Sequence, residues 1–215
     1  SGTATGPGAV TVSVGGRDVS VSAAKGETAV DVATRLRAAI EASDLPVVPV
    51  LTTPASNGKL TLTVKYKGEV GNELGLNCDT GNTSLTYQVS AFAKGAKNAD
   101  IAPALTKVAG KHYHIICSAF SDDANAKALS THIEQVSNAI EQRGCIGVLG
   151  WRGTIATGTA YTAKLNDGRI TCAWYKGAAE PNGMIAAGYA AVLAFEEDPA
   201  RPLNTLEIKG LNVTP

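Results

Sequence analysis

The hydrophobic periodicity of this chain changes near residue 94. Up to that point apolar side chains alternate with Thr and Ser, as in residues 10–14 and 60–64, with the two-residue period of a half-buried strand. Beyond it, continuous apolar runs alternate with segments whose apolar residues recur every three or four positions. Such alternation favours an α/β layer with parallel strands. The chain is therefore predicted to form a β-rich module over 1–97 and an α/β domain over 98–215.

In the β-rich module the patterns predict the element order ββαβββ. Gly15-Gly16 separates two alternating stretches, which indicates a β-hairpin. Thr28 and Asp31 have the spacing of a capping box, so a helix is expected over 28–42. The remaining predicted strands cover residues 47–53, 60–64 and 85–92, with a further short strand near 74–78.

In the α/β domain, strands and helices are predicted in turn. Asp100 is expected to cap a short helix that reaches Ala109, and Ser121 to begin a long helix that ends at Gly144. The apolar residues on the buried face of the long helix are Leu129, Ile133, Val136 and Ile140. The other predicted elements are strands over 112–118, 145–149 and 169–175 and helices over 154–165 and 184–197. The expected fold class is α+β or α/β, with a central mixed or parallel sheet and flanking helices.

Composition narrows the class of protein. The formal net charge is +0, which argues against a nucleic-acid binder that gains affinity by neutralising phosphates. No apolar run approaches the roughly 18 residues that a membrane-spanning helix needs. The cysteine spacing shows neither a metal knuckle nor a redox C-x-x-C pair. Cys117, Cys145 and Cys172 lie in apolar strand-like runs and are predicted to be buried free thiols, which fits a reducing compartment.

The sequence carries no pattern that predicts an active site. It lacks a Gly-x-Ser-x-Gly nucleophile elbow and a glycine loop followed by the Lys-Ser/Thr pair of a phosphate site. His112 and His114 are expected on one face of a strand, as a polar sheet edge more than as metal ligands. His132 is expected to be solvated on the polar side of the long helix. We therefore predict no catalytic residue, no cofactor-binding residue, no metal ligand and no cofactor.

Three further features have a structural and a functional interpretation. Residues 150–154 occupy a strand-to-helix turn, where backbone N–H groups bind anions, but a tight turn with an exposed Trp151 is the favoured interpretation. Glu196-Glu197 is interpreted as a solvated pair at a helix C-terminus, with contact to a basic partner as the alternative. Lys65 and Lys67 are expected on one face of a strand, where blunting of an exposed sheet edge explains them as well as ligand binding does.

The last part of the chain, residues 196–215, is predicted to form an extended strap. Pro199 and Pro202 each fix their own φ and bias the preceding residue away from helical backbone. The strap is expected to lead out of the α/β domain.

Several segments, taken in their order along the chain, resemble one protein family. They are Gly71-Asn72-Glu73-Leu74, Ala93-Lys-Gly-Ala-Lys-Asn-Ala-Asp100, His112-Tyr-His-Ile-Ile116 and Asp198-Pro-Ala-Arg-Pro-Leu-Asn-Thr-Leu206. Together they resemble the central and late part of the tail sheath protein of Mu-like contractile-tailed bacteriophages or prophages.

That resemblance implies a structural subunit without enzymatic activity, which polymerises around a tail tube and contracts to drive it through the host envelope for genome ejection. It implies that the β-rich module protrudes and that the α/β domain carries the lattice contacts, with 196–215, 121–143 and 180–197 as candidate contact segments. The implied partners are neighbouring sheath subunits, the tail tube protein and the baseplate, without direct nucleic-acid contact or membrane insertion. The implied location is the virion tail, after assembly in the host bacterial cytoplasm.

Two other classes of protein stay open. One is a different injection-machine component, such as a secretion-system sheath or a tail adhesion or carbohydrate-binding module. Glycan binding needs an aromatic platform, and the candidates Trp151 and Trp174 lie in the α/β domain. The other is a small α/β enzyme, which needs convergent titratable groups. Because a whole sheath subunit carries chain before and after this segment, we expect this chain alone to be a monomer or a weak oligomer.

Overall fold

A computed structural model describes residues 1–52, 58–198, 200–203 and 206–212. The chain divides into two compact units, Ser1–Ala96 and Lys97–Pro215, here called the first and the second unit. The first contains antiparallel sheets and the second a parallel sheet with helices, which confirms the predicted α+β or α/β class.

A three-stranded antiparallel sheet forms one part of the first unit. Strands β1 (Gly8–Val14) and β2 (Arg17–Ala23) pair as the predicted hairpin. The turn residues Gly15 and Gly16 have φ of 57° and 78°, and this left-handed backbone matches the twist of a two-residue hairpin. Strand β5 (Leu76–Asp79) pairs with the other edge of β1, which confirms the short strand predicted near 74–78.

Helix α1 (Ala29–Glu41) packs against this sheet. It begins with the predicted capping box, in which the Asp31 N–H donates to Thr28 Oγ1 at 3.3 Å and the Thr28 N–H to Asp31 Oδ2 at 3.2 Å. Its buried side carries Leu36 and Ile40, which pack with Val12 and Val14 of β1. The inward-facing valines of β1 and the apolar face of α1 thus pack together in one hydrophobic core.

A separate two-stranded sheet joins β3 (Val47–Leu51) to β4 (Leu60–Val64). Residues 53–57 lie outside the described residues, so the predicted end of the third strand at Thr53 does too. The expectation that Lys65 and Lys67 share a strand face is wrong, because β4 ends at Val64, whose partner Val47 is the first residue of β3.

The strand predicted over 85–92 is wrong, since these residues form no strand. Their backbone bonds to scattered partners: the Thr86 N–H donates to the Ser1 carbonyl at 3.0 Å, and the Leu85 N–H to Thr83 Oγ1 at 3.3 Å. Leu85 is buried and Phe92 packs against the core. The apolar pattern is present here, but in the part of the chain that the structure describes these residues join no ladder of hydrogen bonds between strands.

The second unit contains a parallel sheet in the order β6-β7-β8. Its strands are β6 (Ile115–Cys117), β7 (Ile146–Trp151) and β8 (Ile170–Trp174). Its helices are α2 (Ala102–Val108), α3 (Asp123–Val136), α4 (Ile155–Leu165) and α5 (Asn182–Phe195). Strand–helix alternation along the chain thus gives parallel pairing, as predicted.

Strand β7 is covered on both faces. Leu149 packs in a cluster with Leu129 of α3 and Tyr161 of α4. Its neighbour Val148 points to the opposite face and clusters with Ala186 of α5. The sheet therefore lies between α3 and α4 on one side and α5 on the other. The small residues of α5, such as Ala186 and Ala190, allow this helix to pack closely against β7.

Helix α3 ends earlier than predicted, at Val136 and not at Gly144. The Asn138 carboxamide ends it, because its Oδ1 accepts from the N–H groups of Ile140 and Glu141 at 2.9 and 2.8 Å, a local bond that competes with helix. Ile140 is consequently 90% exposed. Its predicted place on the buried face is wrong.

Burial was predicted for Cys117, Cys145 and Cys172, and the structure confirms it for Cys145 only. Cys145 is buried, Cys172 is half-buried and Cys117 is exposed, and all are free thiols. Strand β6 is shorter than the predicted 112–118 and lies at the edge of the sheet, which leaves Cys117 uncovered. Burial raises the pKa of the Cys172 thiol to about 11, so this thiol stays protonated at neutral pH.

The chain after α5 does not follow the predicted direction. Pro199, residues 204–205 and residues 213–215 lie outside the described residues. Within the described part, Ile208 and Leu211 lie against Gly188 of α5. Residues 206–212 thus fold back onto the second unit, where the sequence predicted a strap leading out of the domain.

Candidate interaction surfaces and polar clusters

A cluster of amides and one carboxylate fixes the start of the second unit. Asp122 caps α3, with its Oδ1 accepting from the Asn125 N–H at 3.1 Å, and its Oδ2 accepts from Asn98 Nδ2 at 2.8 Å. Asn125 then bonds the incoming chain through the Ala99 carbonyl at 2.9 Å and the Ile101 N–H at 3.0 Å. Residues 98–101 are thereby held against the N-terminus of α3.

The first unit holds its own last residues in a similar way. The Asn72 side chain makes two hydrogen bonds to the backbone of Gly95. Asn72 Nδ2 donates to the Gly95 carbonyl, and the Gly95 N–H donates to Asn72 Oδ1, both at 2.8 Å. A Cβ at Gly95 would lie 2.3 Å from the Gly68 carbonyl oxygen, so only glycine fits there. Gly95 and Asn98, on either side of the unit boundary, are each bonded within their own unit.

The Asp122 carboxyl makes the stability of the second unit depend on pH in the acidic range. Burial by itself raises its pKa, but hydrogen bonds from Asn98 and Asn125 outweigh that effect and hold the pKa below its usual range. Because the folded pKa lies below the unfolded one, this carboxylate stabilises the fold above the unfolded value of about 4. That contribution is lost as the pH falls through the folded pKa.

We expect Asp122→Asn to flatten the acid dependence of stability. Both tryptophans lie in the second unit, so urea unfolding followed by their fluorescence at about pH 6, 4 and 3 reports on it. The wild-type midpoint should fall more steeply with acid than that of the variant, and Glu134→Gln on the exposed side of α3 should match the wild type. Equal slopes for wild type and Asp122→Asn would contradict the assigned role.

The histidines do not assemble a metal site in the part of the chain that the structure describes. His112 and His114 lie just before β6, with ring centroids 4.4 Å apart, and His112 Nε2 is 3.0 Å from the Gly144 carbonyl oxygen. No group of three or more His, Cys, Asp or Glu side chains that could hold a metal occurs among the described residues. The prediction that His132 is solvated is wrong, since it is 7% exposed, and burial together with Arg143 lowers its pKa.

The turn over 150–154 is a packed corner. Trp151 stacks on Tyr161 with centroids 4.6 Å apart and is half-buried, so its predicted exposure is wrong. The hydroxyl of Thr154 accepts from the Thr157 N–H at 3.3 Å and caps α4, which occupies a donor that an anion would use. The exposed aromatic of this corner is Trp174, whose Nε1 donates to the Gly153 carbonyl at 2.9 Å.

A groove of about 390 Å³ runs between α3 and α4. Its charged lining includes Asp123 and Lys164, which pair at 2.8 Å. Ser130, on the same side of α3, donates to Asp167 Oδ2 at 2.6 Å. These groups bond one another across the helices, as a solvated structural surface does, and a surface ion pair of this kind contributes roughly 0–1 kcal/mol.

Three large apolar side chains of the second unit are mostly exposed to solvent. Ile140 is 90% and Phe195 88% exposed, and Ile155 at the start of α4 is also mostly exposed. All three lie in the second unit. Sequence reasoning missed them as surface residues, because helical periodicity assigned Ile140 to the core and the other two stand at helix ends, where periodicity says little.

In the described residues no helix has the length and apolar character needed to cross a membrane.

Two comparisons with known proteins give concordant results. Residues 94–215, more than half of the chain, match the family described as phage tail sheath protein central domain. The chain is also 32% identical over 213 residues to the Mu-like prophage FluMu tail sheath protein of Haemophilus influenzae, which covers 96% of this chain and 43% of that protein. The chain thus spans less than half the length of this curated relative. These matches confirm the resemblance found in the sequence, and the chain belongs to the phage tail sheath protein family.

Proposed function

We propose that this chain is part of a structural subunit of a contractile phage tail sheath and has no enzymatic role. The observation that carries the proposal is the family match over 94–215, together with the similarity to the FluMu tail sheath protein, which extends over both units. In this proposal the subunit polymerises around the tail tube and contracts to drive the tube through the host envelope for genome ejection. It is a virion component that is assembled in the host bacterial cytoplasm.

The two units have different roles in the proposed subunit. The first unit, approximately the predicted module 1–97, protrudes from the sheath. The second unit, approximately 98–215, carries the contacts to neighbouring subunits, the tail tube protein and the baseplate. Support comes from Ile140, Phe195 and Ile155, which are the most exposed large apolar side chains of the described residues and all lie in the second unit. Burying such a side chain on association is favourable, by roughly 25 cal/mol per Å² of apolar surface removed from water.

The test uses phage particles whose genome encodes the complete protein, either as wild type or with the Phe195→Ser substitution. Burying one phenylalanine at a subunit contact stabilises it by roughly 2–3 kcal/mol, which corresponds to a tenfold or larger change in the association constant. Negative-stain microscopy should therefore show at least about tenfold fewer sheathed tails, whereas the wild-type tails label along their length with an antibody against this chain.

The matched control is Tyr87→Ser, which removes an exposed aromatic from the first unit. It should leave the number of sheathed tails unchanged. Wild-type tails that stay unlabelled, with the protein recovered only as a free species, would overturn the proposed function. Normal sheaths with Phe195→Ser would overturn the role given to the surface around this residue.

A further inference from the structure

We propose that Glu180 and Gly188 form a latch that fixes residues 206–212 to the second unit, beside the edge of β8. The latch is a conformational device of this chain. It stands on contacts within the second unit and does not depend on the proposed function.

The first contact of the latch is a buried carboxylate. Glu180 is 2% exposed, and its Oε1 accepts from the Asn212 backbone N–H at 2.7 Å. Burying a carboxylate is costly unless it is hydrogen-bonded, and a bond to a charged acceptor is about twice as strong as a neutral one. Oε2 has no hydrogen-bond partner among the described residues. Release of Asn212 would therefore deprive this carboxylate of an important donor.

The second contact lies in the middle of α5. A Cβ placed on Gly188 would come 2.8 Å from Ile208 Cγ2 and 3.3 Å from Leu211 Cδ1. Both apolar side chains thus lie in close contact with the helix at this position, and a larger residue than glycine would force them to shift. Glycine is the second-worst helix former, so its presence inside α5 is explained by the segment that lies on it.

The segment lies beside the last strand of the sheet. Ile208 and Leu211 line, with Ile185 and Tyr189 of α5, an open space of about 420 Å³ whose other side is formed by residues 171–174 of β8 and by Tyr175. Side chains alternate between the faces of a strand, so five consecutive residues lining one space show that it runs along the strand edge. Strand β8 is the last in the order β6-β7-β8, and an uncovered edge strand is a template for pairing with another chain.

The closed latch therefore has two consequences. It determines where the chain runs after α5, because Asn212 is bonded to Glu180, which lies just before the start of α5. It also places Ile208 and Leu211 beside the edge of β8, across the open space that they line together. Opening the latch releases the segment from Glu180 and from α5 in one step, because residues 206–212 make both contacts.

Limited trypsin digestion of the folded chain tests the latch. Lys209 is exposed in a turn within the segment, and cleavage after it requires the segment to leave its site. Glu180→Ala should raise the rate of cleavage at Lys209 by about tenfold or more, as expected for loss of one charge-assisted hydrogen bond. Glu180→Gln, which keeps an acceptor, should give a smaller rise. Glu207→Gln, in the exposed part of the same segment, is the matched control and should leave the rate unchanged.

A second variant keeps the test decisive if Glu180→Ala does not fold. Gly188→Ala improves helix propensity but collides with Ile208, so the latch predicts faster cleavage at Lys209 with α5 intact. If the segment does not rest on α5, the same change should raise the melting temperature and leave cleavage at the wild-type rate. That outcome, or wild-type cleavage in a folded Glu180→Ala protein, would overturn the proposal.

Discussion

Replacing Gly150 with alanine is expected to destabilise the second unit by about 3 kcal/mol or more. Gly150 lies in β7, and a Cβ there would come 2.0 Å from the Asn182 carbonyl oxygen and 3.1 Å from the Ala186 backbone nitrogen. Both are backbone atoms of α5, so a side-chain rotation cannot relieve the overlap. The Gly150 carbonyl also accepts from Ser121 Oγ at 2.8 Å, so a shift of β7 would strain that bond too.

Urea unfolding followed by tryptophan fluorescence measures this loss, since Trp151 and Trp174 both report on the second unit. Gly168→Ala is the matched control, because a Cβ at Gly168 meets nothing within 4 Å, and its midpoint should stay close to the wild type. A Gly150→Ala midpoint equal to that of Gly168→Ala would show that α5 does not approach β7 as described.

Leu129→Ala is expected to cost about 2–5 kcal/mol, the usual range for emptying a leucine site in a packed core. Leu129 has no exposed surface and packs with Ile133 and Leu149 between α3 and β7. The site cannot collapse easily, because Gly147 of β7 supplies no side chain to fill the space. A Cβ on Gly147 would already lie 3.2 Å from Leu129 Cδ2.

Ile140→Ala provides the comparison for Leu129→Ala. Both residues have the same predicted place on the buried face of one long helix, yet Ile140 is almost fully exposed. Surface changes of this kind stay within about 0.5 kcal/mol, so its urea midpoint should be close to that of the wild type. Similar losses for the two variants would favour a helix that continues to residue 140.

The elements that the sequence predicted well depend on neighbouring residues. The hairpin at Gly15-Gly16 and the capping box of Thr28 and Asp31 each need only a few consecutive positions. The parallel sheet of the second unit follows from apolar runs that alternate with helical periodicity. Propensity and turn chemistry act over this short range, so a single sequence contains them.

The predictions that failed depend on partners far along the chain. Residues 85–92 have a strand-like pattern, but among the described residues they pair with no strand and bond instead to Ser1 and Thr83. His132 was assigned to a solvated face, although the fold buries it. Trp151 was expected to be exposed, but α4 brings Tyr161 onto its ring. Periodicity gives the direction of a side chain relative to its own element and does not say what the fold places in that direction.

The sequence by itself determined most of the elements, the two kinds of architecture and the family, because local periodicity, caps and motif order are properties of consecutive residues. Only the tertiary structure decided that residues 206–212 return to the second unit and that Glu180 is buried beneath them. The bond from Asn212 to Glu180 spans 32 residues, and the contact of Thr86 with Ser1 spans 85. Burial and hydrogen-bond partners at such separations are set by how the elements pack.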